Sequence, residues 1–387
     1  MFNLFKKKKQ DESAISAITP EIQELSDSAL ALGSSPAAVD FLMHQYLSHK
    51  ITENEFEDLL ENSIYIVDLN CLKEKFSLSE SPEENPKKYS YPAASFGACF
   101  GDIAGSAYEF ETRASAHSGL NYDNCLIPAS TYTDDSILTC ATAYAIKNLS
   151  VKTSNRKLDL PDFTEENLFP YIVNPFIDAY LKFTHDYPNA SYGGAFFSWA
   201  LANEKHPYGS YGNGSAMRVA PVADSFSDPN DIIFYATASA AATHNHYEGI
   251  KGAIVTAMAA HMAYQGYSKE QIFQYMIKFY PTDLMRNYLK SNIVLSQFTL
   301  AELKLKYGPT ICQYAVPAAA VCFFYSNSYE DVITNCLSFV GDTDTIAAIA
   351  GAVAGAYYGV PEKAQEYVKG KFPKDLYSYI EKLKKEK

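Results

Sequence analysis

Apolar side chains in the first part of the chain recur with the spacing of a helix face. Examples between residues 13 and 80 are Val39, Phe41, Leu42, Tyr46 and Leu47. Thr19 stands before Pro20 as a cap residue stands before a first-turn proline. This pattern predicts helices across residues 13–80.

The texture of the sequence changes at about residue 91. Long alanine-rich runs with helical spacing follow, joined by loops of Gly, Asn and Pro, and strand-type alternation is scarce. Glycines fall four residues apart at 97, 101 and 105, and again at 351 and 355. On a helix, such glycines line one face and let two backbones approach closely. The sequence therefore predicts an all-α fold with tight helix packing.

A polar segment separates these two regions. Residues 78–90 carry Pro82 and Pro86 among charged side chains, as linkers between domains do. We predict an N-terminal helical extension at residues 1–88, with a disordered basic start and this linker, and a compact multi-helix domain at residues 89–387. We predict that the extension modulates substrate access or the choice of a protein partner. Its apolar positions must be buried somewhere, however, and the multi-helix domain is the nearest surface.

Composition narrows the class of protein. The 387 residues are 47% hydrophobic and 20% charged, enough for a sizeable core, and the net charge of −13 argues against general nucleic-acid binding. Seven dispersed cysteines without a CxxC pair indicate a reduced, cytoplasmic protein, although an effector delivered into another cell would look the same. Neither a signal peptide nor an apolar run of membrane length is visible, so no membrane span is expected.

Two acidic clusters stand at predicted helix starts. The segment Thr133-Asp134-Asp135 precedes one helix-spaced apolar run, and Asp342-Thr343-Asp344-Thr345 precedes another. Helix capping and ligand binding are both open for the first cluster. If the two helix starts converge, their carboxylates repel each other, and divalent cations would remove that repulsion. Oxygen-only ligands favour Mg²⁺ or Mn²⁺ over zinc, and two clusters make two ions natural.

Three further segments carry candidate chemistry. Glu109 closes a predicted helix that holds Asp102 within its glycine face, although alone it reads as a surface carboxylate. The glycine-rich loop at residues 209–215 enters a helix and could bind an anion through its N–H groups, although a plain loop has the same pattern. His244 and His246 would diverge on a helix and lack a third nitrogen or sulfur ligand, which disfavours zinc and favours donation to phosphate or ribose.

Taken in order, five segments resemble the ADP-ribosylglycohydrolase family, which includes the dinitrogenase reductase-activating glycohydrolases and the arginine- and serine-type ADP-ribosyl-acceptor hydrolases. The segments lie within residues 93–365 and read GDIAGSAYEF, YTDDSILT, SYGNGSAMRVAPV, THNHYEGIKGA and GDTDTIAAIAGAVAGAYYG. The resemblance implies an all-helical domain with a binuclear metal cleft. It also implies a hydrolase that removes ADP-ribose from a modified protein or small molecule.

The resemblance also implies roles for individual residues. Two Mg²⁺ or Mn²⁺ ions would be held by Thr133, Asp134, Asp135, Asp342, Asp344 and Thr345. Glu109 would be the mobile acidic residue beside them, and Glu109 or Asp342 would take the proton of the attacking water. His244 would face the distal part of the substrate. The diphosphate and proximal ribose would lie on Ser210, Tyr211, Gly212, Asn213 and Gly214.

Two positions depart from the family pattern. Val340 stands where the family often has a first glycine before the last Asp-Thr-Asp. Lys205 stands about where some relatives place a phenylalanine under the adenine. Tyr208 or Tyr211 would therefore have to supply any stacking on the base.

The implied reaction is attack of water on the anomeric carbon of the distal ribose through an oxocarbenium-like state. The alternative is a catalytically weak ADP-ribose-binding or toxin-neutralising interaction protein that uses the same fold. The acceptor stays open, because arginine, serine, a nucleic-acid base and O-acetyl-ADP-ribose all fit the same metal site.

Overall fold

A computed structural model of the chain describes residues 43, 46–47, 69–110, 119–149, 165–280, 310–339 and 341–383. The chain divides into two compact units, Met1–Leu69 and Asn70–Lys387. Most of the first unit, including Thr19 and the predicted helical positions Val39, Phe41 and Leu42, lies outside the described residues. Tyr46 and Leu47 are helical, as their spacing predicts.

Helices dominate the described ranges, in which no strand occurs and one isolated antiparallel bridge joins Gly212 to Ile311. The predicted all-α fold class is therefore confirmed. In chain order the helices are α1 (Leu69–Phe76), α2 (Ala93–Ser106), α3 (Asp134–Lys147), α4 (Glu165–Asp186), α5 (Gly194–Leu201), α6 (Gly214–Met217), α7 (Ala220–Ser225), α8 (Pro229–Ala241), α9 (Tyr247–Gln265), α10 (Lys269–Lys278), α11 (Cys312–Phe324), α12 (Tyr329–Cys336), α13 (Thr343–Tyr358), α14 (Glu362–Lys371) and α15 (Lys374–Glu381).

Helices α2 and α13 pack backbone against backbone. A Cβ built on Gly97 would lie 2.1 Å from the carbonyl oxygen of Gly351, and one on Gly101 would lie 2.1 Å from that of Ala347. A Cβ on Gly105 would lie 2.4 Å from the Cα of Asp344. The predicted glycine face is thus confirmed, and it brings the end of α2 directly against the start of α13.

The other helices cover this pair. Helix α13 is buried from Thr343 to Ala356 and also packs against α9, α11 and α12. Helix α3 packs against α2, α4 and α15.

Six cysteines in the described ranges are free and buried. None of the helices described here has both the length and the apolar character needed to cross a bilayer.

The segment before α2 runs without helix from Ser77 to Pro92 and lies on the helices that follow it in the chain. The Phe76 ring stacks on Phe279 with 4.5 Å between ring centroids. The N–H of Glu84 donates to the carbonyl oxygen of Gly266 at 2.8 Å, and that of Lys87 donates to Tyr264 at 2.7 Å. Residues 70–88 therefore share one compact unit with the helical core, and the domain boundary at residue 88 stays a prediction.

The backbone contact between α2 and α13 can be tested by adding a single methyl group. Gly101→Ala places a Cβ against backbone atoms, and we expect it to lower the free energy of unfolding by about 3 kcal/mol. Gly370→Ala is the matched control, because nothing lies within 4 Å of its added Cβ in α14. It should raise the free energy of unfolding by about 0.5–1 kcal/mol. Chemical denaturation measures both, and an unchanged Gly101→Ala protein would contradict the contact.

Candidate metal and substrate site

The start of α3 is capped by a side chain of α2 and not by its own flanking residues. Asp102 is fully buried, and its Oδ2 accepts hydrogen bonds from the N–H of Thr133 at 2.9 Å and of Ser136 at 3.0 Å. Its Oδ1 accepts from Thr133 Oγ1 at 2.6 Å. Because Asp102 caps the helix, the carboxylates of Asp134 and Asp135 are left for another use.

The two acidic helix starts converge, as the sequence pattern requires for a shared site. Thr345 Oγ1 at the start of α13 donates to Asp135 Oδ2 at 3.3 Å. Oxygen atoms of Asp102, Asp135 and Asp344 all lie within 4.8 Å of one another, and so do those of Glu109, Asp342 and Asp344. Asp344 thus belongs to two adjacent groups of carboxylates.

These groups have the chemistry that a hard divalent cation requires. Asp135 Oδ1 is buried and has no hydrogen-bond partner among the described residues. A buried carboxylate oxygen without a donor is unfavourable unless a cation is bound to it. Oxygen-only ligands of this kind match Mg²⁺ and Mn²⁺. The acidic residues that the structure describes could therefore bind metal.

Burial of several carboxylates together raises their pKa values. Desolvation, and then the charges of the neighbouring carboxylates, hold the pKa values of Asp134, Asp135 and Asp344 well above their ordinary value. Burial raises the pKa of Asp102 to about 6, against hydrogen bonds that lower it. Burial, followed by the charges of Asp342 and Asp102, raises the pKa of Glu109 to about 7. Without metal the cluster therefore retains protons that an exposed carboxylate would lose.

This retention predicts how pH acts on the metal-free protein. Raised carboxylate pKa values mean that the folded chain holds more protons than the unfolded chain between about pH 4 and the pKa of Glu109 at about 7. The free energy of unfolding should therefore fall as pH rises through this range. In chelator, we expect a lower melting temperature at pH 7.5 than at pH 5, and Mg²⁺ should raise it at pH 7.5 by binding the deprotonated carboxylates.

The matched variant for this measurement is Asp135→Asn, which removes one charge from the cluster. It should melt higher than the unmodified protein in chelator at pH 7.5 and respond little to Mg²⁺. If the melting temperature of the unmodified protein at pH 7.5 does not change when Mg²⁺ is added, the assignment of these carboxylates to a metal site is contradicted.

A cavity of about 460 Å³ joins the acidic cluster to the glycine-rich loop. Most of the residues that the sequence singled out line this one cavity. At its acidic end these are Glu109, Asp134, Asp135, Asp342 and Thr345, and at its other end Ser210, Gly212, Asn213, Gly214 and His244. Asn213 Nδ2 donates to Asp342 Oδ2 at 2.7 Å and ties the two ends together.

Three of the predicted site residues lie outside this lining. Asp344 is buried behind the wall within both carboxylate groups, and Thr133 is buried against Asp102. Tyr211 is 50% exposed, with its ring 5.2 Å from that of His246. Among the tyrosines that the loop offers for stacking, Tyr208 is the one in the cavity wall.

Of the two departures from the family pattern, Lys205 lies within the described residues and Val340 does not. Lys205 forms an exposed ion pair with Asp178. Val340 lies outside the described residues, and the Gly341 that follows it has a φ of 127°, a backbone conformation that favours glycine. The sharp turn before Asp342 is therefore supplied by Gly341.

Four N–H groups of the glycine-rich loop donate hydrogen bonds to acceptors within the protein. The N–H of Gly209 donates to Asn245 Oδ1, that of Ser210 to the carbonyl of Thr243, and that of Gly212 to Ser210 Oγ. The N–H of Asn213 donates to the carbonyl of Thr310. The expectation that successive N–H groups form an open anion-binding concavity therefore does not hold for these four residues.

The two histidines have separate structural roles. His246 caps α9, since its Nδ1 accepts from the N–H of Glu248 at 3.1 Å. His244 is buried and points Nε2 at the glycine loop, where a Cβ on Gly214 would lie 3.1 Å from it. Among the described side chains, neither histidine belongs to a group of three or more possible metal ligands.

Several residues of the cavity wall lie outside the sequence motifs described above. The segment from Ser191 to Phe196 forms a wall beside Asp134, and Phe110 lies at the edge with half its surface exposed. The Gly193-Gly194 pair at the start of α5 is a local loop signal that could have drawn attention to this wall. Asp102 was named from the sequence, but its capping role could not be predicted, because the helix that it caps begins far along the chain.

Fold and cavity together define a helical protein with a carboxylate cluster at one end of a cleft and a glycine-rich loop at the other. The family model described as ADP-ribosylglycohydrolase matches residues 88–387. The chain therefore belongs to the ADP-ribosylglycohydrolase family, and the resemblance stated from the sequence is confirmed.

Two relatives, from Mus musculus and Homo sapiens, agree with this membership. The chain is 30% identical to ADP-ribosylhydrolase ARH3 of Mus musculus over 340 residues, covering 71% of this chain and 86% of the relative. It is also 30% identical to ADP-ribosylhydrolase ARH3 of Homo sapiens over 336 residues, covering 71% and 87%. A solved structure titled ADP-ribosylglycohydrolase-related protein complex matches 76% of this chain and 98% of its own, with a TM-score of 0.47 and 18% identity.

Proposed function

We propose that this chain hydrolyses the bond between ADP-ribose and a modified acceptor, with two Mg²⁺ or Mn²⁺ ions in the cleft. The observation that carries the proposal is the single cavity in which a carboxylate cluster and a glycine-rich loop are joined by the hydrogen bond from Asn213 to Asp342. Relatives that match most of their own length are ADP-ribosylhydrolases, which supports the same bond class here.

The proposed metal ligands are Thr133, Asp134, Asp135, Asp342, Asp344 and Thr345. When bound, the ions would lower the pKa of a water molecule and orient the distal ribose. The glycine face of α2 supports this ligand set by seating Gly105 against the backbone of Asp344. The Asp102 cap supports it by leaving the first two carboxylates of α3 without a capping role.

Glu109 is the proposed proton acceptor. It lies in the cavity wall, half-buried, and its carboxylate oxygen lies within 4.8 Å of those of Asp342 and Asp344. A carboxylate in this position can take the proton of a water molecule held in the cluster. Asp342 is the second candidate, and the hydrogen bond from Asn213 fixes its orientation.

At the other end of the cleft, Ser210, Gly212, Asn213, Gly214 and His244 are proposed to bind the diphosphate and the sugars. Of the two tyrosines that could stack on the adenine, Tyr208 is the proposed contact, because its ring lies in the cavity wall 6.3 Å from that of His244. The free, buried cysteines support a reduced, cytoplasmic setting.

The test of this function is a panel of defined substrates. Arginine-linked, serine-linked and base-linked ADP-ribose, together with O-acetyl-ADP-ribose, are incubated with the protein, and released ADP-ribose is measured beside the affinity for ADP-ribose itself. Release from at least one substrate supports the proposal and names the acceptor. Binding of ADP-ribose without release from any substrate would favour the binding or toxin-neutralising alternative.

For the N-terminal extension we propose a role in substrate access or partner choice, separate from the metal site. Two shortened chains test this, one beginning at Asn70 and one at Tyr89. The chain from Asn70 should keep bound metal and release ADP-ribose from a small substrate. The chain from Tyr89 lacks the buried Leu72 and Phe76, and we expect it to melt lower while retaining the site. Loss of metal from a well-folded chain beginning at Asn70 would contradict the separation.

A further inference from the structure

Arg218 is a buried positive charge directly beneath the cavity that joins the carboxylates to the glycine loop. The side chain is fully buried, and its residue belongs to the cavity lining. Its guanidinium carbon lies 4.0 Å from the centroid of the Tyr180 ring. Among the described residues it has no ion-pair partner, and its Nε and Nη1 have no hydrogen-bond partner. A buried charge left unpaired in this way is unfavourable, and an anionic ligand in the cavity would compensate it.

One hydrogen bond of Arg218 connects it, through Thr243, to His244. Arg218 Nη2 donates to the carbonyl oxygen of Ser239 at 3.1 Å and to Thr243 Oγ1 at 2.8 Å. Thr243 Oγ1 also lies 2.7 Å from His244 Nδ1. Because arginine can only donate, Thr243 must accept from it. The hydroxyl proton of the buried Thr243 then has His244 Nδ1 as its nearby acceptor.

This arrangement selects one tautomer of His244. If Nδ1 accepts the threonine proton, the ring proton must lie on Nε2. Burial and the charge of Arg218 also lower the pKa of His244 well below its ordinary value, so the ring is neutral. Nε2 faces the glycine loop, 3.1 Å from the place of a Cβ on Gly214 and 3.5 Å from one on Gly212. His244 therefore presents a single fixed donor to whatever lies on the loop.

The loop needs such a donor because the N–H groups of four of its residues are already bonded within the protein. The opposite end of the cavity carries the carboxylates, so an anionic ligand is attracted only where a positive field and donors coincide. Arg218 supplies a fixed positive charge at this end, and His244 supplies the donor.

We propose that Arg218 and Thr243 are positioning residues that hold His244 as the tautomer protonated at Nε2, so that it donates to a phosphate oxygen of the substrate on the glycine loop. The inference rests on the proposed function in one respect, that the anion is the diphosphate of ADP-ribose. The tautomer itself does not depend on activity, so the two can fail separately.

The experiment reads the tautomer directly. The full chain is labelled with ¹⁵N-histidine, and two-bond ¹H–¹⁵N spectra distinguish protonated from bare ring nitrogens for its eight histidines. His244→Gln assigns the signals of His244 by their loss. We expect Nε2 protonated and Nδ1 bare in the unmodified protein and in Thr243→Ser, which keeps the hydroxyl. Thr243→Val removes the donor and should populate the Nδ1-protonated form.

Thr256→Val is the matched control, since Thr256 is buried in α9 and its hydroxyl has no partner among the described residues. ADP-ribose binding by calorimetry completes the experiment. Thr243→Val should weaken it about three- to tenfold, as expected for one neutral hydrogen bond, and raise KM while kcat is kept. Thr243→Ser and Thr256→Val should bind as the unmodified protein does.

Protonation of His244 at Nδ1 in the unmodified protein would overturn the inference. A His244 spectrum in Thr243→Val identical to that of the unmodified protein would overturn it as well. The first of these results needs no variant to fold. If the tautomer and its response to Thr243→Val are as expected but the unmodified protein binds no ADP-ribose, the positioning role stands and the proposed function fails.

Discussion

Asp344→Asn is expected to lower the rate of ADP-ribose release by at least about a thousandfold, because loss of metal chemistry removes several kcal/mol of transition-state stabilisation. Asp344 is the carboxylate that belongs to both groups of clustered oxygens, so its loss weakens both proposed ion positions at once. Its side chain is buried among like charges, which hold its pKa well above the ordinary value. Single-turnover kinetics on a defined substrate measures the loss.

The fold should survive this change. Removing a charge from a repelling cluster is expected to leave the melting temperature in chelator equal or higher. Asp228→Asn is the matched control, since Asp228 caps α8 through the N–H of Asn230 and asparagine caps equally well. A folded Asp344→Asn protein that retained normal turnover would contradict the role of Asp344 as a shared ligand.

Glu109→Gln is expected to lower kcat by about 100- to 1,000-fold, the range of a lost general base, with little change in affinity for ADP-ribose. The side chain lies in the cavity wall beside Asp342 and Asp344. Glutamine keeps the size of the side chain but cannot accept the proton of a water molecule. Calorimetry with ADP-ribose, beside single-turnover rates, separates the two effects.

Glu362→Gln serves as the control for this variant, since Glu362 is an exposed residue in the first turn of α14. Normal rates in Glu109→Gln would show that Glu109 is a bystander and would move the role of base to Asp342. A parallel loss of ADP-ribose binding would indicate that Glu109 holds the site together and does not act on the proton.

Much of the site could be predicted from the sequence because its signals are local. The acidic residues at 134, 135, 342 and 344 each precede an apolar run that is itself helical, so the position of the cluster at two helix starts follows from spacing. The glycines of α2 and α13 likewise repeat every four residues, and this period indicates a close contact of backbones before any partner is known.

The remainder depends on contacts between distant parts of the chain. Asp102 caps α3 through Thr133, the residue before the helix, which lies 31 residues further along the chain. This contact removes capping as the role of the acidic pair. Arg218 reaches Thr243 across 25 residues, and no local pattern connects them. The choice between Tyr208 and Tyr211 turned on which ring faces the cavity, which the composition of the loop does not determine.

We expect this cleft to hydrolyse ADP-ribosyl bonds only when metal is bound. The most direct measurement follows ADP-ribose release from the substrate that the panel identifies, first in excess chelator and then during titration with Mg²⁺ and with Mn²⁺. We expect no release in chelator and full recovery as either ion is added, with no recovery in Asp344→Asn. Full release in excess chelator by the unmodified protein would contradict the account.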